Sequence, residues 1–121
     1  MSARILVVDD LEANRRLLEA KLTADYYDVL MARRGEEAVQ LAKREKPDLI
    51  VMDIQLPEIS GLEITDRLKK DEALKHIPVV AVTAFAMRGD EQKIMAAGCD
   101  AYLSKPISVT TFLETIRKYI G

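Results

Sequence analysis

The stretch that decides the fold is LIVMD at residues 49–53, four large apolar residues followed directly by an aspartate. An apolar run without alternating polar residues is typical of a strand covered on both faces, as in a parallel sheet flanked by helices. Residues 5–8 and 79–82 repeat this pattern, and shorter apolar runs lie at residues 29–32 and 101–103. The sequence therefore predicts five short strands.

The segments between these runs are long enough for helices, and their apolar residues recur at spacings of three and four. Pro47 would stop the second helix, and Ser108 can cap the last one. Residues 86–95 have only a thin apolar stripe and contain Gly89, so we expect a marginal, mobile helix there. The predicted helical stripes are Ala13, Leu17, Leu18 and Leu22; Ala38, Leu41 and Ala42; Leu62, Thr65 and Leu68; and Val109, Phe112, Leu113, Ile116 and Ile120.

The alternation of strands and helices indicates an α/β protein of the (βα)5 type, a three-layer α/β/α sandwich around one parallel sheet. A length of 121 residues suits one domain over residues 1–121, and 49% hydrophobic with 31% charged residues is ordinary globular composition. The net charge of −2 gives no general reason to bind nucleic acid or anionic lipid. No apolar stretch is long enough to form a membrane-spanning helix. The sequence has a single cysteine, Cys99, and no start that resembles a secretion signal, so we expect a cytoplasmic location.

Polar side chains accumulate where the predicted strands end. The carboxyl ends of parallel strands lie on one edge of a sheet, and ligands bind in the crevice outside that edge. We therefore expect these side chains to meet in one pocket although they are far apart in the chain. They are Asp9 and Asp10 after the first strand, Asp53 after the third, Thr83 after the fourth, and Ser104 and Lys105 after the fifth.

Three carboxylates in one pocket repel one another unless a cation neutralises them. Oxygen ligands without sulfur or imidazole favour a hard ion, so Mg²⁺ is expected, with Mn²⁺ as the alternative and a backbone carbonyl near Gln55 as a further ligand. Asp53 is then placed to attack a phosphorus atom and form an acyl phosphate. Lys105 and Thr83 suit the neutralisation of charge on the phosphoryl oxygens.

These residues carry a family resemblance. Asp9-Asp10, Asp53, Thr83-Ala84 and Lys105-Pro106, each after a predicted strand, resemble the receiver domain of two-component response regulators over the whole chain. Within that family, residues 47–121 resemble a single-domain cell-division regulator, whereas residues 1–10 and 12–14 resemble the first receiver of a diguanylate cyclase. The resemblance implies a flavodoxin-like, doubly wound sheet with strand order 2-1-3-4-5.

The resemblance also implies a role for each site residue. Asp53 would be the phosphoacceptor, and Mg²⁺ would be bound by Asp10, Asp53 and the Gln55 carbonyl, with Asp9 acting mainly through water. Thr83 and Lys105 would contact the phosphoryl oxygens, and the Lys105–Pro106 peptide bond would be cis.

A switch and partners follow from the same resemblance. Movement of the Thr83 hydroxyl would vacate space that Tyr102 fills, which would repack the helix after Thr83. The implied partners are a histidine kinase or a histidine phosphotransfer protein and a downstream protein effector. We expect the effector surface on the face formed by that helix, the Tyr102 strand and the last helix, because this face adjoins both switch residues and includes the marginal helix.

Two other functions stay open at this point. A phosphatase similar to haloacid dehalogenases also uses a strand-end aspartate, but it needs a second acid two positions later, where this chain has Gln55. A pseudo-receiver would keep the fold and bind partners without phosphorylation. Taken singly, Asp9, Asp10 and Thr83 also suit helix caps, and Lys105 suits a solvated surface position.

Overall fold

The computed structural model describes residues 3–84 and 90–120. Five strands alternate with five helices in the described part of the chain, as the apolar pattern predicts. The strands and helices are β1 (Arg4–Val8), α1 (Glu12–Ala24), β2 (Asp28–Ala32), α2 (Gly35–Glu45), β3 (Leu49–Asp53), α3 (Gly61–Lys70), β4 (Val79–Thr83), α4 (Asp90–Ala96), β5 (Ala101–Ser104) and α5 (Val109–Ile120).

The five strands form one parallel sheet in the order β2-β1-β3-β4-β5, which confirms the order that the family resemblance implies. The chain returns to the centre of the sheet after β2, so β1 and β3 are neighbours, with Val8 opposite Met52. On the other side of β3, Asp53 lies opposite Val82. The ends of β1, β3 and β4 are therefore adjacent at one edge of the sheet.

Two hydrophobic cores cover the two faces of the sheet because alternate strand residues point to opposite sides. Leu6, Ile50 and Ala81 face one core, which helices α2, α3 and α4 complete. Ile5, Val51 and Val80 face the other core, which helices α1 and α5 complete. This double burial explains why the strands are continuously apolar, and it confirms the three-layer α/β/α architecture.

The buried stripe of α1 differs from the predicted one. Leu18 and Leu22 are buried, but Ala13 is exposed and Leu17 is 52% exposed. The third buried residue of this helix is Arg15, which the apolar pattern could not identify. The spacing of three and four predicted the helix correctly. It wrongly assigned Leu17 to the buried face, which instead includes Arg15.

The other predicted stripes agree more closely with the structure. Val109 at the start of α5 is exposed, whereas Phe112 and Ile116 are buried. The Ser108 hydroxyl accepts a hydrogen bond from the Thr111 amide at 3.4 Å, so the predicted cap is present. For the predicted helix over 86–95, residues 85–89 lie outside the described part of the chain, and the described helix begins at Asp90.

Cys99 is buried and forms no disulfide bond. No helix in residues 3–84 or 90–120 has the length and hydropathy needed for a membrane span.

Candidate phosphoacceptor and metal site

Four of the polar residues predicted to converge, Asp9, Asp10, Asp53 and Lys105, lie together at the carboxyl edge of the sheet, and Thr83 and Ser104 end strands at the same edge. Asp53 is the last residue of β3 and Thr83 is the last residue of β4. Asp9 and Asp10 directly follow β1, and Lys105 directly follows β5. Each side chain lies at the edge because the apolar run that precedes it is fixed by the two cores.

Three carboxylates form a cluster at this edge. One carboxylate oxygen from each of Asp9, Asp10 and Asp53 lies within 4.8 Å of the others. Asp9 and Asp53 are both only 3% exposed, whereas Asp10 is exposed to solvent. The alternative that Asp9 and Asp10 cap the first helix is wrong. The N-cap residue of α1 is Leu11, and it makes no side-chain capping hydrogen bond.

Asp9 is fixed by contacts to its backbone and to its side chain. Its amide donates to the carbonyl of Ala32 at 3.1 Å, and its Oδ1 accepts the Leu11 amide at 2.9 Å. Its own carbonyl accepts a hydrogen bond from Nη1 of Arg15 at 2.7 Å. Sequence reasoning missed Arg15, and the only available signal was a charged residue three positions before the buried Leu18.

Asp53 is oriented by its neighbours in the β3–α3 loop. Its Oδ1 accepts the Gln55 amide at 2.9 Å, and the amide of Ile54 donates to the carbonyl of Val82 at 3.1 Å. Gly61 packs so closely that an added Cβ would overlap the Asp53 carbonyl oxygen. The loop therefore holds the Asp53 backbone while one side-chain oxygen, Oδ2, stays directed at Lys105.

Lys105 is the cation of the site. Its Nζ lies 3.4 Å from Asp53 Oδ2 and 3.8 Å from Asp9 Oδ2, and its side chain is 22% exposed. Its amide donates to the Thr83 carbonyl at 2.8 Å, and its peptide bond to Pro106 is cis. The lysine therefore faces the acidic cluster and is not an ordinary solvated side chain.

The pKa of Asp53 is raised above its ordinary value of 3.8, mainly because burial disfavours the charged carboxylate. The Gln55 amide lowers the pKa of Asp53, the negative charge of Asp9 raises it, and Lys105 lowers it in turn. The balance leaves a carboxylate whose charge is poorly compensated by the protein alone.

This raised pKa predicts how stability depends on pH in the metal-free protein. Between the ordinary and the raised pKa of Asp53, the folded state binds more protons than the unfolded state, so the contribution of Asp53 to stability is lost as pH rises through this window. Asp53→Asn removes the titration. We expect the variant to exceed the wild type in melting temperature at pH 7, and the difference to shrink toward pH 4. Thermal unfolding in a chelator measures this, and a difference independent of pH would contradict it.

The contact of Gly61 with Asp53 gives a second prediction. Gly61→Ala places a methyl group against the Asp53 carbonyl and 2.9 Å from Cα of Ile54, so the backbone must shift. We expect a loss of about 2 kcal/mol or more in the free energy of unfolding and a displaced Asp53 carboxylate. Chemical denaturation and the NMR shift of the Gln55 amide measure these two effects.

Ser60→Ala is the matched control for Gly61→Ala. The Ser60 hydroxyl caps α3 by accepting the Leu62 amide at 3.1 Å, so its loss costs about 1 kcal/mol without a steric push on Asp53. An unchanged NMR shift of the Gln55 amide in Gly61→Ala would contradict the steric argument. An equal change of that NMR shift in both variants would contradict it as well.

Thr83 and Tyr102 lie on neighbouring strands on the same side of the site. Thr83 is buried at the end of β4, beside Ser104 of β5. Tyr102 is half-buried against the core under α2, α3 and α4. The pKa of its hydroxyl is raised, mainly because of hydrogen bonding with the Glu91 carboxylate of α4. The Tyr102 hydroxyl of β5 therefore lies near the Glu91 carboxylate of α4.

The donor set at this edge fits a hard divalent cation. The cluster offers three carboxylates, and no sulfur or imidazole group is part of it. Lys105 supplies only one positive charge against the three carboxylates. The negative charge of Asp53 is therefore poorly neutralised without a further cation. Mg²⁺ prefers oxygen ligands in this kind of pocket and keeps several waters, which the exposed Asp10 side allows.

Comparisons with known proteins show the family of this chain. The family model of the response regulator receiver domain matches residues 5–117. The polar-differentiation response regulators DivK of Brucella ovis and Brucella anthropi are each 54% identical over 121 residues, which is 100% of this chain and 98% of theirs.

Solved structures give the same assignment. The chemotaxis protein CheY4 of Vibrio cholerae has a TM-score of 0.93 at 27% identity, covering 98% of this chain and 99% of its own. The receiver domain of the sensor histidine kinase PA1611 of Pseudomonas aeruginosa has a TM-score of 0.92 at 32% identity, covering 100% of this chain and 99% of its own. The structure of that receiver domain has a magnesium ion coordinated in the active site cleft. With its five-stranded parallel sheet and its acidic edge, this chain belongs to the response regulator receiver family of two-component signalling and is homologous to DivK and CheY.

Proposed function

We propose that this protein is a phosphorylation switch, one receiver domain over residues 1–121 that acts in the cytoplasm. Asp53 accepts a phosphoryl group from a histidine kinase or a histidine phosphotransfer protein in a Mg²⁺-dependent reaction, and the change alters affinity for a downstream protein. The observation that carries the proposal is the meeting of Asp9, Asp10 and Asp53 with Lys105 at one edge of the sheet.

Asp53 is the proposed nucleophile. Because Gln55 engages Oδ1, the carboxylate is held in one orientation, and an oxygen of the group attacks the phosphorus of the donor. The new oxygen–phosphorus bond forms as the nitrogen–phosphorus bond of the donor phosphohistidine breaks, and the bonding electrons leave with the imidazole. Lys105 and the Thr83 hydroxyl stabilise the negative charge on the phosphoryl oxygens.

Asp9, Asp10, Asp53 and the backbone carbonyl of Gln55 are the residues that would hold Mg²⁺, or Mn²⁺ in its place. The ion would supply the positive charge that brings phosphoryl oxygens and carboxylates together. The structure of the PA1611 receiver, 32% identical to this chain, with its coordinated magnesium supports this assignment.

The geometry favours a switch over a phosphatase. A phosphatase that forms an aspartyl phosphate needs a general acid and base nearby, and the residue two positions after Asp53 is the uncharged Gln55. We therefore propose that the protein is not an enzyme with a separate substrate, although its own site assists its phosphorylation and dephosphorylation.

The proposed response runs through Thr83 and Tyr102. A phosphoryl group on Asp53 would draw the Thr83 hydroxyl inward, and Tyr102 would move into the vacated space and break its link to Glu91. Because Glu91 belongs to α4, the change would repack the α4–β5–α5 face, which we propose as the effector surface.

The proposed phosphodonor approaches from the α1 side. A cleft of about 240 Å³ lies beside the acidic edge between α1 and the segment of residues 105–107, and its lining includes Leu17 and Leu18. The exposure of Leu17, against the pattern predicted for α1, offers an apolar contact in the cleft that Asp9 and Lys105 also line. A helical donor surface that carries a phosphohistidine would suit this position.

The test is incubation of the purified chain with acetyl phosphate, with Mg²⁺ or with a chelator, followed by intact mass and peptide mapping. We expect one phosphoryl adduct, dependent on Mg²⁺ and located at Asp53, together with hydrogen-exchange changes in α4 and β5. Absence of an adduct, combined with unchanged spectra in beryllofluoride, would favour a pseudo-receiver. Sustained turnover of small phosphomonoesters would favour the phosphatase.

A further inference from the structure

Arg15 is a buried arginine on α1 that the proposed chemistry does not use. It is 8% exposed, and it lies on the same face as Leu18 and Leu22, which pack against the sheet. Burying a charged group at a position that an apolar side chain could fill is unfavourable unless the charge is well hydrogen-bonded. The position therefore requires an explanation other than core packing.

Arg15 donates a hydrogen bond to a residue of the acidic cluster. Its Nη1 donates to the backbone carbonyl of Asp9 at 2.7 Å, a short charge-assisted hydrogen bond. Among the residues that the structure describes, none of the ion pairs within 4.0 Å involves Arg15. The guanidinium is thus not part of an ordinary surface salt bridge, unlike Arg16, which pairs with Glu12 at 2.8 Å.

This contact completes the fixation of Asp9. The amide of Asp9 is held by Ala32, its Oδ1 by the Leu11 amide, and its Oδ2 faces Lys105. The carbonyl between Asp9 and Asp10 is the remaining polar group, and Arg15 holds it. Because this carbonyl belongs to the peptide unit that joins the two aspartates, its orientation sets how both side chains leave the end of β1.

We infer that Arg15 is a positioning residue for the metal site, which fixes the Asp9–Asp10 peptide so that both carboxylates face the cation. The inference rests on the proposed Mg²⁺ site, to which it adds a residue that touches no ligand itself. Partners one step removed from metal ligands commonly change metal affinity by about 10- to 100-fold, because they orient the ligands before the ion arrives.

The test compares Arg15→Met, Arg15→Gln and Arg15→Lys in the full chain. Methionine and glutamine remove the charge, and lysine keeps a cationic donor. Arg16→Met is the matched control, since it deletes the same charge from the next residue, whose side chain is 74% exposed. Isothermal calorimetry gives the Mg²⁺ dissociation constant, and exchange of the Leu11 amide in metal-free protein reports the turn that Asp9 forms.

We expect Arg15→Met and Arg15→Gln to weaken Mg²⁺ binding by about tenfold or more and to speed Leu11 exchange while the melting curve stays cooperative. Arg15→Lys should recover part of the affinity, and Arg16→Met should stay within about twofold of the wild type, as a surface charge does.

Four results would overturn the inference. If a folded neutral variant binds Mg²⁺ as tightly as Arg16→Met, or if lysine is as weak as methionine, Arg15 does not act through this hydrogen bond. If both neutral variants fail to fold while Arg15→Lys binds as the wild type does, Arg15 serves stability alone. If the wild type binds no Mg²⁺, the proposed function fails and the inference fails with it.

Discussion

Asp53→Asn is expected to abolish phosphorylation, with a loss of at least about 1,000-fold in the rate of adduct formation from a small phosphodonor. The amide has no carboxylate oxygen with which to form an acyl phosphate, so the nucleophile itself is lost. The substitution nearly preserves shape, and the asparagine carbonyl can still accept the Gln55 amide that now holds Oδ1. Intact mass after incubation with acetyl phosphate and Mg²⁺ measures the effect.

The matched control for this variant is Asp66→Asn on α3. Asp66 is a surface aspartate that pairs with Lys70 at 2.9 Å, so its substitution changes the same charge outside the acidic cluster. It should be phosphorylated at the wild-type rate. An adduct on Asp53→Asn equal to that on Asp66→Asn would move the phosphoacceptor to another residue.

Asp10→Asn is expected to weaken Mg²⁺ binding by about 100-fold, because one of three anionic ligands becomes a neutral one. Phosphorylation should slow in parallel at limiting Mg²⁺. Because Asp10 is exposed and adds to the repulsion within the cluster, the metal-free variant should melt no lower than the wild type. Calorimetric titration with Mg²⁺ measures the affinity, and thermal unfolding in a chelator measures the stability.

Glu12→Gln separates coordination from general electrostatics. Glu12 lies two residues further along the chain, and its exposed carboxylate pairs with Arg16. Loss of its charge should leave Mg²⁺ affinity within about twofold of the wild type. If Glu12→Gln and Asp10→Asn weaken binding equally, long-range charge and not ligation explains the effect.

Much of the site was predictable because its residues occupy a position that the strand pattern defines. Asp53 and Thr83 end continuously apolar runs, so they had to lie at the edge of a doubly covered sheet. Lys105 follows a weaker run, and its approach to Asp53 at 3.4 Å agrees with the predicted convergence. The strand order, by contrast, came from the family resemblance, because apolar periodicity contains no information on which strands are neighbours.

The features that sequence reasoning missed depend on contacts between remote segments. Gly61 resembles any helix-start glycine until its approach to the Asp53 carbonyl is seen. Arg15 resembles a surface arginine, just as Leu17 resembles a core residue, because periodicity alone does not fix the rotation of α1 about its axis. Periodicity gives the spacing of a face, and packing against β1 and β2 chooses the face.

The amino-acid sequence by itself determined the five strands, the helices between them and the polar residues at the strand ends, because a strand buried on both faces must be apolar until it reaches solvent. Only the tertiary structure decided that Asp9 is buried while Asp10 is exposed, that Leu17 faces outward, and that Arg15 turns inward to the Asp9 carbonyl. Those choices follow from how the helices and loops pack against the finished sheet, and local patterns do not encode that packing.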